Sequence, residues 1–329
     1  MLSSGRGLLA MDESTSTCNR RLAAAGIPAT LEARRAWRQL LVTAPRLGES
    51  IGGAILYDET IRQRTDGGTR FADALQSAGI LVGIKVDTGA KPLALHDGET
   101  ITEGLDGLRE RLAEYASLGA RFAKWRAVMT IGGRHPSAGC IDANAEALAR
   151  YAALCQEAAI VPVVEPEVLM AGGHGLQACE CATQKVLRAT FTALERHRVL
   201  LEGIILKPNM VLAGADCAEQ PNDALVAQAT LRCLKRSVPA AVAGVAFLSG
   251  GQSGELATSR LAAMHGDGAP AVLPWPLSFS FARALQHPAL EIWRGEPGNV
   301  ADAQRALLHR AACNRAARLG TRAALPLAA

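Results

Sequence analysis

The sequence predicts an α/β fold, a (β/α)8 TIM barrel in which eight parallel strands are ringed by helices. Three observations predict it. Short apolar runs alternate with stretches of helical spacing along the chain. There are eight such runs, and 329 residues is a length that one barrel of this kind fills. The expected strands are 7–11, 53–57, 80–86, 121–125, 160–165, 203–207, 244–249 and 277–281. Helical spacing is clear at 107–118, 143–158, 179–196, 223–236 and 301–318. Each run is strand-length, and each ends in a polar residue or proline. An open doubly wound sheet is the rival architecture, but it opens with a glycine-rich turn after its first strand, and none follows residue 11. No internal repeat or low-complexity linker divides the chain. One catalytic domain is therefore expected over 1–329, with a short C-terminal extension from about residue 319.

Composition narrows the function. Hydrophobic residues are 49% and charged residues 20%, the balance of a chain with a large core. The net charge of +4 is small, and basic residues cluster only in pairs such as Arg20-Arg21 and Arg34-Arg35. Nucleic acid is not the expected partner. No run is long enough to span a membrane, and residues 1–7 do not resemble a secretory signal. The eight cysteines are irregularly spaced, with Cys179-Glu180-Cys181 the one close pair. They read as buried free thiols of a reducing cytoplasm. The seven histidines, at 96, 135, 174, 197, 265, 287 and 309, have no ligand spacing and none closes an expected strand. No metal or other cofactor is expected.

The strand ends carry the chemistry. They are Asp12, Tyr57-Asp58, Lys85, Lys124, Glu165, Lys207, Ser249 and, just beyond the last run, Arg283. A barrel gathers all eight ends on one face, where active sites of this fold are built. One polar strand end needs no function, because a strand leaving a core must end in something polar. Three lysines together with Asp12 and Glu165 on one rim are harder to explain that way. Lysine is also scarce, with six among 35 basic residues. An amine does chemistry that a guanidinium cannot.

Lys207 ends a fully apolar run. Burial favours its neutral amine, and a second cation, Lys124, pushes the same way. A neutral amine in a dry pocket is the nucleophile that attacks a ketone to give a Schiff base. Glu165 and Glu167 flank Pro166 and point to one face of an extended strand. Two carboxylates so close tend to split their pKa values, leaving one as an acid for dehydrating a carbinolamine. Asp12 is either a helix cap or a base. Ser249-Gly250-Gly251 joins a strand to a helix, where exposed backbone N–H groups bind phosphate, and Arg283 would complete the clamp. Ser14, Thr17, Arg21 and Lys85 form a second candidate anion site near strands one and three. Two anion sites flanking a lysine point to a substrate phosphorylated at both ends.

These residues lie in Leu9-Ala10-Met11-Asp12-Glu13-Ser14-Thr15, Gly83-Ile84-Lys85-Val86-Asp87, Phe122-Ala123-Lys124-Trp125-Arg126, Val164-Glu165-Pro166-Glu167, Leu206-Lys207-Pro208-Asn209-Met210 and Phe247-Leu248-Ser249-Gly250-Gly251-Gln252-Ser253. In that order the stretches resemble class I fructose-bisphosphate aldolase, the metal-free Schiff-base type. The resemblance implies reversible cleavage of fructose 1,6-bisphosphate to dihydroxyacetone phosphate and glyceraldehyde 3-phosphate, in glycolysis and gluconeogenesis. It implies Lys207 as the Schiff-base lysine, Glu165 as general acid and base with Glu167 its companion, and Asp12 as the base for the C4 hydroxyl. Lys124 would support charge in that step. Ser249, Gly250, Gly251 and Arg283 would hold the 1-phosphate; Ser14, Thr17, Arg21 and Lys85 the 6-phosphate; Arg126 also touches substrate. A cytoplasmic homotetramer is implied as well.

The chain departs from the family pattern in places. Thr17 stands where serine is usual, Phe281 where tyrosine is usual and Ala282 where glycine is usual. The chain begins a few residues before the first strand, without the family's N-terminal helix. It ends Leu325-Pro326-Leu327-Ala328-Ala329, with no tyrosine after Tyr151. The family's mobile tail ends in tyrosine, so the expectation is cleavage limited by protonation of the enamine. The alternatives are a transaldolase-like or other Schiff-base sugar-phosphate lyase, and a catalytically weakened barrel with a binding role. A zinc-dependent aldolase would need the histidine spacing that is missing.

Overall fold

The computed structural model describes residues 1–266 and 272–321. The expected extension falls largely at 322–329, outside the described residues. The strands are β1 (Gly7–Ala10), β2 (Ile51–Leu56), β3 (Leu81–Lys85), β4 (Gly89–Pro92), β5 (Thr100–Glu103), β6 (Phe122–Met129), β7 (Val161–Val168), β8 (Ile205–Leu206), β9 (Gly244–Phe247) and β10 (Leu277–Phe281). Eight of them close in the order β1-β10-β9-β8-β7-β6-β3-β2, every neighbour parallel. The barrel of eight parallel strands is the predicted fold class.

Two features differ from the sequence expectation. β4 and β5 form an antiparallel pair between the third and fourth barrel strands. Their short polar-apolar alternation around Ile101 carried too little pattern to be read as strand. β6 and β7 also run on past their expected ends, in unbroken register from Phe122↔Val161 to Met129↔Val168. Glu165, Pro166 and Glu167 therefore lie inside a strand that stands above the rim. By contrast β8 is two residues long, and Lys207 prolongs its ladder by donating its N–H to the Val164 carbonyl at 2.8 Å.

The barrel interior is filled by Leu8, Ala10, Ile55, Phe122, Val163, Ile205 and Ala246. Phe122 reaches across because Gly83 has no side chain: a Cβ there would lie 2.2 Å from the ring. Helices cover the outside. Those that matter for the site are Thr15–Ala24, Leu31–Val42, Ala138–Glu157, Leu176–Arg196, Asp223–Ser237, Gly254–Ala263 and Arg283–Trp293. Short polar residues start many of them. Ser14, Thr30, Ser137, Asn222 and Ser253 each accept a bond from a backbone N–H of the first turn. Trp37 and Trp293 stack with centroids 5.5 Å apart, which packs the helices flanking the closure of the barrel against each other. The long helix Val300–Arg318 packs across that closure.

Among the described residues the cysteines are all free, and Cys18, Cys140, Cys155, Cys179 and Cys233 are buried. Burial pushes the Cys233 thiol up to about 12, so it stays protonated near neutral pH. No helix of the described residues is long and apolar enough to cross a membrane.

Candidate active site

One cavity of about 680 Å³ opens at the C-terminal ends of the barrel strands. Asp12, Ser14, Thr17, Arg21, Lys85, Lys124, Arg126, Glu165, Glu167, Lys207, Ser249, Gly250, Gly251 and Arg283 all line it. Residues up to 271 positions apart in the chain thus meet in one mouth, from Asp12 to Arg283.

At its floor the charged groups form a chain. Lys207 Nζ is 2.9 Å from Glu165 Oε1, and Lys124 Nζ is 3.3 Å from Glu165 Oε2. Lys124 Nζ is also 2.7 Å from Asp12 Oδ2 and 3.9 Å from Asp87 Oδ2. Asp87 continues to Lys85, whose Nζ is 2.5 Å from Oδ1. The side chains of Lys207, Lys124 and Glu165 are each 4% exposed, so these charges act on one another with little screening. Burial alone would lower the Lys124 pKa, but the charges of Asp12, Glu165 and Asp87 outweigh it and hold the ammonium above the usual lysine range. Burial raises Asp12 and Glu165, yet Lys124 and Lys207 overcome it and keep both carboxyls below their usual values.

This geometry revises two sequence arguments. Glu165 and Glu167 have separate partners. Arg126 Nε holds Glu167 at 2.5 Å, while Glu165 sits between two lysines. The environment of Lys207 includes a carboxylate at bonding distance as well as a neighbouring cation. Of the alternatives for Asp12, the cap falls away: Ser14 caps the helix Thr15–Ala24, and Asp12 faces Lys124.

The glycine loop lies at one side of the mouth. Gly250 and Gly251 have φ of 60° and 88°, the left-handed region that favours glycine. Gln252 is buried under the loop. It donates to the Ser249 carbonyl at 2.7 Å and accepts from Arg260 at 2.8 Å, and Arg260 reaches Asp223 at 3.2 Å. The loop then enters the helix Gly254–Ala263. Arg283 opens the helix Arg283–Trp293, exposed beside Gly251. Among the described residues no carboxylate pairs with it. Ala282, which precedes it, has a φ of −105°, so glycine is not required there. Phe281 is buried against Phe279 and turned away from the cavity lining.

On the opposite side Ser14 and Thr17 share a hydroxyl contact at 3.2 Å, and Arg21 pairs with Glu13. Glu13, Arg38, Asp87 and Gln286 were not singled out by sequence reasoning. For Arg38 a signal existed: Arg34, Trp37, Arg38 and Leu41 share the buried face of one helix. Among the described residues no cluster of His, Cys, Asp and Glu is arranged to hold a metal ion.

Known proteins fit this site. Residues 1–325 match the family model for fructose-bisphosphate aldolase class-I. The chain is 54% identical over 321 residues to a probable fructose-bisphosphate aldolase class 1 of Xanthomonas axonopodis pv. citri, covering 97% of this chain and 95% of that one. It is 50% identical over 316 residues to the cytosolic fructose-bisphosphate aldolase 6 of Arabidopsis thaliana, covering 96% and 87%. The fructose-bisphosphate aldolase of Plasmodium falciparum, solved in complex with TRAP and a small-molecule inhibitor, superposes with a TM-score of 0.95 at 44% identity, over 97% of this chain and 92% of that one. A lysine-centred barrel mouth and full-length similarity thus agree that the chain belongs to the class I fructose-bisphosphate aldolases, the metal-independent lyases of glycolysis that cleave their bisphosphate substrate through a lysine Schiff base.

Proposed function

We propose that Lys207 forms the Schiff base and that Glu165, Asp12 and Lys124 move the protons around it. One observation carries this reading: a buried lysine amine 2.9 Å from an ionised glutamate that also contacts a second lysine. Glu165 takes a proton from the Lys207 ammonium, leaving a neutral amine and a carboxylic acid. The amine attacks the C2 ketone, and a proton passes from the attacking nitrogen to the ketone oxygen, which becomes the carbinolamine hydroxyl. The Glu165 acid returns its proton to that hydroxyl, water leaves, and the iminium remains. Asp12 then accepts the C4 hydroxyl proton. The C3–C4 bond breaks, its electrons pass into the enamine, and glyceraldehyde 3-phosphate departs. The Lys124 ammonium steadies the oxygen as its charge grows. Protonation at C3 and hydrolysis of the iminium release dihydroxyacetone phosphate.

Ser249, Gly250, Gly251 and Arg283 hold the 1-phosphate in this reading. Ser14, Thr17, Arg21 and Lys85 hold the 6-phosphate. Glu167 keeps Arg126 against the substrate. The whole of 1–329 acts as one catalytic domain, as a homotetramer, in the cytoplasm. The cytosolic names of plant relatives and the free cysteines support the location. Light scattering of the purified enzyme tests the assembly. Borohydride reduction with dihydroxyacetone phosphate tests the chemistry. It should inactivate the enzyme and add the reduced triose to the peptide bearing Lys207. Label on another residue would overturn the assignment.

A further inference from the structure

The exit of β1 holds a buried ion network that these proton steps do not use. Glu13 follows Asp12 and is itself buried. One carboxylate oxygen pairs with Arg21 and the other with Arg38. Arg38 comes from the helix Leu31–Val42 and is spent on protein acceptors. Beyond Glu13's carboxylate, its Nη1 donates to the Met11 carbonyl at 2.5 Å and its Nη2 to the Glu13 carbonyl at 3.1 Å. Gln286 lies one turn into the helix that Arg283 opens. It donates to the Ala10 carbonyl at 2.5 Å and to Glu13 Oε1 at 3.0 Å.

Exposure separates the three charged members. The Arg21 side chain is 26% exposed, while those of Glu13 and Arg38 are 5% and 2%. Asp12 is paired with Lys124, and within the trio of Arg21, Glu13 and Arg38 two cations share one carboxylate, so one positive charge is in surplus. Arg38 cannot offer it to a ligand, because its guanidinium is buried and engaged. The surplus therefore faces the cavity through Arg21. A lone Glu13–Arg21 pair would be neutral and a weak lure for an anion.

We propose that Glu13 and Arg38 are positioning residues for the bisphosphate: Glu13 fixes the Arg21 guanidinium on the cavity wall, and Arg38 cancels the Glu13 charge so that the Arg21 charge is left for the 6-phosphate. This rests on the reading of Arg21 as a 6-phosphate ligand. It has an unusual consequence. Removing Arg38 alone leaves the Glu13 charge to cancel that of Arg21, whereas removing both charges while keeping an acceptor oxygen at position 13 leaves the Arg21 charge uncancelled and its guanidinium still held.

The test compares KM and kcat for fructose 1,6-bisphosphate and for fructose 1-phosphate, which lacks the second phosphate. Arg38→Met should raise KM for the bisphosphate about 10-fold and leave KM for the monophosphate within about twofold. The double variant Glu13→Gln with Arg38→Met should recover most of that loss. A double variant no better than Arg38→Met, or equal losses on both sugars, overturns the proposal. Should Arg38→Met not fold, Arg38→Lys decides. It keeps the charge, so KM for the bisphosphate should stay within about threefold of wild type, and a 10-fold rise on either sugar overturns the idea. Arg21→Ala tells the ligand role of Arg21 from the support that Glu13 and Arg38 give it. If it fails to select against the bisphosphate, the 6-phosphate reading falls. If it does select and Arg38→Met does not, only the present inference falls.

Discussion

In the proposed reading, the two ends of the cavity mouth make anion sites by opposite means. At the glycine loop the backbone of Gly250 and Gly251 lines the cavity at left-handed φ, beside an exposed Arg283 with no carboxylate partner among the described residues. Across the mouth they are cations already tied to buried carboxylates, Arg21 to Glu13 and Lys85 to Asp87. Backbone conformation organises the first site and countercharge organises the second. The first is therefore sensitive to a change of shape and the second to a change of charge.

If both ends serve Lys207 as proposed, its loss should silence the site while sparing each of them. Lys207→Arg should show no measurable cleavage, because a guanidinium stays protonated and forms no imine. Equilibrium binding of the bisphosphate should persist, and if binding vanishes too, the two ends are not independent of the centre. Next in size is Glu165→Gln, which should lower kcat by about two to four orders of magnitude with the fold intact. A kcat near wild type would move the proton role to another group.

Substituting one group at each end separates the two sites. Arg283→Ala should raise KM about 10-fold for both fructose 1,6-bisphosphate and fructose 1-phosphate and also lower kcat, since a remote phosphate grip orients the reacting bond. Arg21→Ala should weaken the bisphosphate alone. Equal effects from the two variants would erase the distinction between the ends. A smaller effect is expected from Gly251→Ala. Its φ of 88° is strained for alanine, and the added Cβ would lie 3.3 Å from Met170 Sδ and 3.5 Å from Arg283 Nη2. Stability should fall by about 1 kcal/mol, read by chemical denaturation, with KM rising for both sugars.

The smallest change lies in the acid response. The Asp12, Glu13 and Glu165 carboxyls are held below their usual values. A carboxyl depressed in the folded state binds fewer protons there than in the unfolded chain. The stability it contributes is full above about pH 5 and is lost as pH falls through about 4 toward the folded value. Asp12→Asn should make stability fall less steeply with acid between about pH 4 and 3. Urea unfolding at stepped pH reads the slope, and an unchanged slope would show that Asp12 is not a coupled member of the Lys124 cluster.

The sequence by itself determined the barrel and its rim. Alternation of apolar runs with helical spacing is a local property, and each strand's polar end follows directly from where its apolar run stops. That is why Lys85, Lys124, Glu165 and Lys207 were legible one by one, and why Gly250 and Gly251 could be assigned to a turn. Only the tertiary structure decided who pairs with whom. That Glu165 stands between two lysines, that Arg126 takes Glu167, and that Asp12 meets Lys124 while Ser14 caps the helix depends on strand register and on β6 and β7 running on above the rim. Arg38 and Gln286 belong to the same class. Each sits on the buried face of its helix, where spacing predicts burial but names no partner. Spacing along a chain fixes which face a side chain takes. Charges separated by tens to hundreds of residues find one another only when the barrel closes.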